Sequence, residues 1–64
     1  MANKWTGERI RELRERLGLT QGEMAERLGY AHYTGVLRLE KEDREPTGPV
    51  QKLLDMLEEE AKRR

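Results

Sequence analysis

The chain has 64 residues, no cysteine, no phenylalanine and one histidine, and its 13 basic residues balance 13 acidic ones. A chain this short makes one domain and buries only about 60% of its unfolded surface; with 34% apolar residues, its core can hardly spare the roughly 300–1,000 Å³ of a cofactor pocket. The lack of cysteine removes disulfides and thiolate metal sites, one histidine builds no zinc site alone, and no apolar run resembles a membrane span or a signal peptide. The expectation is a cytoplasmic chain without cofactor, metal, membrane contact or small-molecule ligand, and not an enzyme.

Residues 1–5 read as a loose arm from which Trp5 folds back, either onto the core or onto a dimer partner. Thr6 is a plausible helix cap, and Ile10, Leu13 and Leu17 recur at helical spacing up to Gly18. Glu8/Arg11, Arg11/Glu15 and Glu12/Arg16 are spaced to pair along this helix, each worth about 0.2–0.5 kcal/mol. Leu19 then bridges to a short second helix with a marked start and stop. Thr20 and Glu23 form a capping box, Met24, Ala25 and Leu28 make one apolar stripe, and Gly29 supplies the left-handed end. About two turns of helix cannot stand alone in water. A short helix closed by glycine and followed by a second short helix is the layout of a helix-turn-helix.

Tyr30 to Gly35 form a polar and aromatic turn, and Val36, Leu37 and Leu39 predict a third helix from about 32 to 41. Glu42 to Glu45 read as a charged loop. Pro46-Thr47-Gly48-Pro49 breaks and restarts the chain, with Thr47 as cap and Pro49 in the first turn. Val50, Leu53, Leu54 and Leu57 then mark a last helix from about 48 to 60. Glu58-Glu59-Glu60 reads as a solvated, fraying end, because acid at a helix C-terminus is mildly unfavourable. No strand signal, repeat or linker appears. The expected fold class is all-α, a compact bundle of four to five helices, with residues 1–64 as one domain.

The zero net charge counts mildly against a nucleic-acid partner, but its distribution matters more. From Arg27 to Lys41 there are three basic residues (Arg27, Arg38, Lys41), one acid (Glu40) and His32, whereas acids gather at Glu58-Glu59-Glu60.

The pattern Arg11-x-Leu13-Arg14-x-x-x-Gly18-Leu19-Thr20-Gln21-x-x-x-Ala25-x-x-Leu28-Gly29, followed by Val36-x-Arg38-Leu39-Glu40 and Arg44-x-Pro46-Thr47-Gly48-Pro49 with Leu53-Leu54, resembles the Cro/repressor-type (XRE-like, lambda-repressor-like) helix-turn-helix family. The resemblance covers residues 6 to about 57. It implies a small Ala25 where two helices cross, a turn at Gly29, and Val36 and Leu39 burying the back of a recognition helix whose front faces a major groove. One departure stands out. The family's branched apolar residue lies six positions after the turn glycine; here that position is Gly35 and the apolar residue is Val36. One residue is inserted between Tyr30 and Gly35, and Gly35 weakens its helix by about 0.5–1 kcal/mol.

Anchored on Val36, the family's groove-facing positions fall on Tyr33, Thr34, Gly35 and Arg38, with His32 at or near the cap. Arg38 is the first candidate for base readout, since arginine holds guanine O6 and N7 with two bonds. Thr34 or Tyr33 could touch a thymine methyl or a phosphate, and Gly35 would admit backbone or sugar-phosphate closely. Gln21 takes the family's phosphate-binding place at a helix start. Lys41 and Arg44 would add contacts independent of sequence. Arg14 and Glu40 occupy positions that pair across the first and third helices in the family. Leu53, Met56 and Leu57 are the candidate dimer seam.

These implications assemble into a sequence-specific regulator of double-stranded DNA, a small stand-alone repressor that occupies an inverted-repeat operator as a homodimer, at the nucleoid. The initial Met and terminal Lys-Arg-Arg favour a complete protein over a fragment. The alternative is a protein–protein adaptor or antitoxin-like partner on the same fold, which the neutral net charge favours slightly.

Overall fold

Thr6 opens the first helix. In the computed structural model, which describes residues 4–42 and 44–63, its hydroxyl accepts the Arg9 N–H at 3.2 Å and starts α1 (Gly7–Arg16). Expectations for the arm before Lys4, for Asp43 in the charged loop and for Arg64 lie outside the described residues. The Thr20/Glu23 capping box opens α2 (Gln21–Leu28): the Thr20 N–H donates to Glu23 at 2.9 Å and the Glu23 N–H to Thr20 at 3.1 Å.

Both helices close alike. Gly18 and Gly29 stand in left-handed backbone, at φ +70° and +80°. After α1 the Leu19 N–H reaches the Arg14 carbonyl and the Gly18 N–H the Glu15 carbonyl, both at 3.0 Å. After α2 the Tyr30 N–H reaches the Ala25 carbonyl at 2.8 Å and the Gly29 N–H the Glu26 carbonyl at 3.2 Å. This is the Schellman closure, which satisfies carbonyls that a helix end leaves orphaned.

The third helix, α3 (Thr34–Lys41), starts later than the expected residue 32 and has no side-chain cap. His32 and Tyr33 belong to the turn; the Gly35 N–H bonds the His32 carbonyl at 3.1 Å. The connection between α2 and α3 therefore runs from Gly29 to Tyr33. The last helix, α4 (Gly48–Lys62), runs slightly past its expected end. Thr47 stands at its cap position without a side-chain hydrogen bond. The Gln51 amide instead donates to the Pro46 carbonyl at 2.8 Å and ties the first turn to the loop.

Among the described residues there are these four helices and no strand. α3 packs on α1 and α2, and α4 closes the bundle against the same two. The core joins Ile10, Leu13 and Leu17 to Met24, Ala25 and Leu28, to Val36 and Leu39, and to Val50, Leu54, Leu57 and Ala61. Full burial of a residue such as Ile10, Met24 or Leu54 is worth about 1.5–3 kcal/mol relative to exposure.

Two contacts join elements in ways the spacing did not announce. Gly7 is buried where α1 meets the end of α3, and a Cβ there would stand 2.7 Å from the Leu39 carbonyl oxygen and closer still to that of Glu40. Trp5, only 1% exposed, is part of the core and not a surface contact. Its indole N–H donates to Asp55 at 3.0 Å, and the Arg9 guanidinium lies 4.6 Å from its ring centroid.

The charge pairs differ from the expected ones. Among the described residues, Glu8/Arg11, Arg11/Glu15 and Glu12/Arg16 form no ion pair. Ion pairs instead tie α4 to the rest: Lys4–Asp55 and Arg9–Glu58 at 2.9 Å, and Arg27–Glu60 at 3.3 Å. The acidic end of α4 is therefore held by cations of other elements, and with Ala61 buried the helix continues through it.

Candidate functional site

The helix-turn-helix unit is built from α2 and α3. Ala25 is 2% exposed, where α2 packs against α3, and Val36 and Leu39 bury the inner face of α3 at 0% and 5%. The opposite side of α3 is left to solvent. Tyr33, Thr34, Arg38 and Lys41 are all exposed along it, and Tyr33 is one of the large apolar groups left outside the core. His32 is exposed in the turn just before.

Gln21 is the first residue of α2 and is half-buried. It shares a groove of about 440 Å³ with Lys41 from the end of α3, with Leu37, and with Gly7, Glu8, Arg11 and Arg14 from α1. The structure thus brings Gln21 and Lys41 to one concavity, beside the exposed side of α3.

Gly35 differs from the expectation. A Cβ on it would meet the Cγ and Cδ1 atoms of Tyr30 at 2.7 and 2.8 Å. The vacant side of this glycine is filled by an aromatic ring of the protein and is not open to an approaching ligand. Tyr30 in turn packs against the core.

Arg44 is exposed after α3 and pairs with Glu42 at 3.2 Å. Exposed pairs of this kind are worth about 0–1 kcal/mol, so the contact does not withdraw Arg44 from other partners.

Beneath the groove, Arg14 and Glu40 join α1 to α3. The guanidinium donates through Nε at 2.9 Å and Nη2 at 3.3 Å to the two carboxylate oxygens, and through Nη1 to the Leu19 carbonyl at 3.1 Å. Glu40 is 6% exposed and Arg14 16%. The fork geometry of arginine fits a carboxylate in this two-bond arrangement. Its third bond reaches the linker before α2, so one side chain registers α1, α2 and α3.

A model of the helix-turn-helix domain matches residues 5–58. The chain belongs to the helix-turn-helix domain family, of the Cro/XRE-like type. The match runs from Trp5 to Glu58, over α1, α2, α3 and all but the last turn of α4, and makes this a DNA-binding fold. Comparison with curated proteins and with solved structures finds no match.

In this helix-turn-helix domain the proposed dimer seam is divided by burial. Leu57 lies in the core at 7% exposure and has no surface to offer a second chain. The stripe it shares with Val50 and Leu54 faces the core, so its assignment to the seam is corrected. Leu53 is half-buried against the core, and Met56 is 61% exposed. Among the described residues no helix is long and apolar enough to cross a membrane, and no three His, Asp or Glu side chains gather as a metal site.

Arg11, the first residue of the family pattern, is spaced to pair with Glu8 and Glu15 along α1; it instead lines the groove without an ion pair among the described residues. Gly7 also lines it. Its signal was available in the sequence, as a glycine at the first position of a helix otherwise rich in strong helix formers.

Proposed function

We propose that this domain is a sequence-specific transcriptional repressor that occupies an inverted-repeat DNA operator as a homodimer. The carrying observation is the two-sided character of α3. Its Val36 and Leu39 side is sealed, while Thr34 and Arg38 stand exposed on a helix held by α1 and α2, with Tyr33 exposed at the cap position just before it. An α-helix presented in this way fits the major groove of B-DNA. Arg38 reads a guanine, Thr34 and Tyr33 contact neighbouring bases or phosphates, and Gln21, His32, Lys41 and Arg44 hold the backbone. Action is at the nucleoid, with no enzymatic step and no cofactor.

The alternative is an adaptor that binds protein with the same fold, and neutral net charge favours it. The distribution of paired charges argues against it. Glu40, Glu42, Asp55, Glu58 and Glu60 each engage a cation of this chain, whereas Arg38 and Lys41 have no carboxylate partner among the described residues. The sum of charges therefore understates how positive the α3 side is.

Selection of bound sequences from random duplex DNA, followed by titration at several salt concentrations, tests the reading. Arg38→Ala is expected to cost about 1–3 kcal/mol on the selected site and much less on random DNA. Lys41→Ala is expected to weaken both alike and to reduce the salt slope by about one. No enriched sequence, or binding insensitive to salt, would return the fold to the adaptor reading.

A further inference from the structure

We propose that the groove between α1 and the end of α3 is a seat for one DNA phosphodiester, with Arg11 and Lys41 as its two jaws. The inference rests on the DNA-binding reading and extends it to α1, outside the helix-turn-helix unit.

The argument starts from the groove's charges. Its walls carry Glu8, Arg11, Arg14, Glu40 and Lys41, with Gln21 completing the rim. Arg14 and Glu40 cancel, since each is committed to the other through two hydrogen bonds. That leaves Arg11 and Lys41, both exposed and both without a carboxylate partner among the described residues, against one acid, Glu8. The residue is one positive charge in a concave polar site, which matches the single negative charge of a backbone phosphate.

The setting is rigid where it needs to be. The Arg14–Glu40 pair and the close approach of Gly7 to the Leu39 and Glu40 carbonyls fix α1 against the end of α3. Arg11, one turn after Gly7, is therefore held at a constant distance from Lys41, while its own side chain stays mobile enough to reach a phosphate. A phosphate seated here lies beside Gln21 and is continuous with the exposed side of α3, so one strand can follow the recognition helix and end in the groove. Arginine at such a place sets affinity and salt dependence and leaves sequence preference alone.

Arg16 provides the internal comparison. It is a second exposed arginine of α1 without an ion pair among the described residues, but it faces the other groove, with Trp5, Arg9 and Glu58. It changes the net charge by the same amount as Arg11 and does not touch the proposed seat.

The test measures binding of the full chain to random-sequence duplex DNA across a salt series. Arg11→Ala is expected to bind roughly five- to tenfold more weakly at low salt, the loss of one charge-assisted contact, with a salt slope smaller by about one. Glu8→Gln is expected to bind more tightly, because it removes the groove's only uncommitted acid. Arg16→Ala is expected to change affinity by less than about twofold, since screening damps a charge outside the contact. The melting curve of Arg11→Ala should overlay that of the parent, so weakened binding cannot be read as unfolding, and Glu8→Gln, which loses a first-turn acid of α1, is read by a gain that unfolding cannot produce. Equal losses for Arg11→Ala and Arg16→Ala, or no gain for Glu8→Gln, would overturn the seat while the α3 interface stands. Absence of binding by the parent chain at low salt would overturn the DNA reading and the seat together.

Discussion

The ring of Tyr30 lies against the α-carbon of Gly35 and fills the space where a side chain would begin. The contact falls at Cβ, Cγ and Cδ1 of Tyr30, near the root of the side chain; Cβ moves only with the backbone, and the ring moves aside only by leaving its χ1 rotamer and its packing on the core. That backbone is itself tied to Ala25 by the Tyr30 N–H bond of 2.8 Å. α3 lacks a side-chain cap, and this ring packs at its start. Gly35→Ala should therefore destabilise by about 1–3 kcal/mol from overpacking, only partly offset by the gain in helix propensity of about 0.5–1 kcal/mol. Thermal melts of Gly35→Ala and of Gly35→Ala/Tyr30→Leu would check this. The double variant should lose less than the sum of its single losses, and a Gly35→Ala melting point at or above the parent's would sink the account.

Much of this fold was legible in the sequence because its signals are local. Thr20, Glu23, Gly18 and Gly29 act through bonds within one turn of chain, so their types and spacing suffice to place the ends of α1 and α2. The stripe Val50, Leu53, Leu54, Leu57 likewise marks α4 by period alone, but period did not divide it between core and seam: Leu57 is in the core and Leu53 half-buried against it. What stayed hidden depends on neighbours distant in sequence. Gly35 looked like a weak helix position open to DNA, because nothing in the local pattern shows Tyr30 beneath it. Gly7 is glycine because of carbonyls more than thirty positions away on α3. Arg11 seemed paired by helical spacing, yet exposed pairs at that spacing are worth too little to hold a long side chain. The family pattern alone placed Arg14 opposite Glu40.

That Arg14–Glu40 bridge supports a second stability prediction. Removing one partner of a buried pair leaves the other charge uncompensated, at a cost of about 3–5 kcal/mol. With Arg14 16% exposed, Glu40→Ala should fall near about 3 kcal/mol. Arg14→Met/Glu40→Leu should recover most of the loss, since the desolvation of both charges disappears with them. Urea denaturation reads both variants. A Glu40→Ala loss under about 1 kcal/mol would make the bridge an ordinary surface pair.

Asp55 supplies a pH dependence that can be read optically. The hydrogen bond from Lys4, and then that from the Trp5 indole, hold its carboxyl below the ordinary value of 3.8. A carboxyl depressed on folding adds stability that is fully present above its unfolded value and is lost as pH falls through the folded one. Asp55→Asn should therefore be less stable than the parent at neutral pH, with the gap narrowing below about pH 3.8 and closing once the parent's carboxyl is protonated. Trp5 fluorescence during denaturation at a series of pH values reports it. A gap that stays constant into strong acid would remove Asp55 as its source.

Met56 bears on assembly. It is the most exposed apolar side chain of α4, beside half-buried Leu53, and Leu57 is spent on the core. In a two-fold dimer that meets along α4, a residue near the axis faces its own copy. Met56→Glu would then set two carboxylates against each other at a side chain that stands mostly outside its own core. Sedimentation of the parent should give the dimer and that of Met56→Glu the monomer, with little change in melting behaviour at dilution. Leu57→Glu cannot serve as this test, because it places a charge in the core and unfolds the chain before assembly is reached. A parent that sediments as a monomer would sink the dimer, and a Met56→Glu variant that stays dimeric would move the contact off this part of α4.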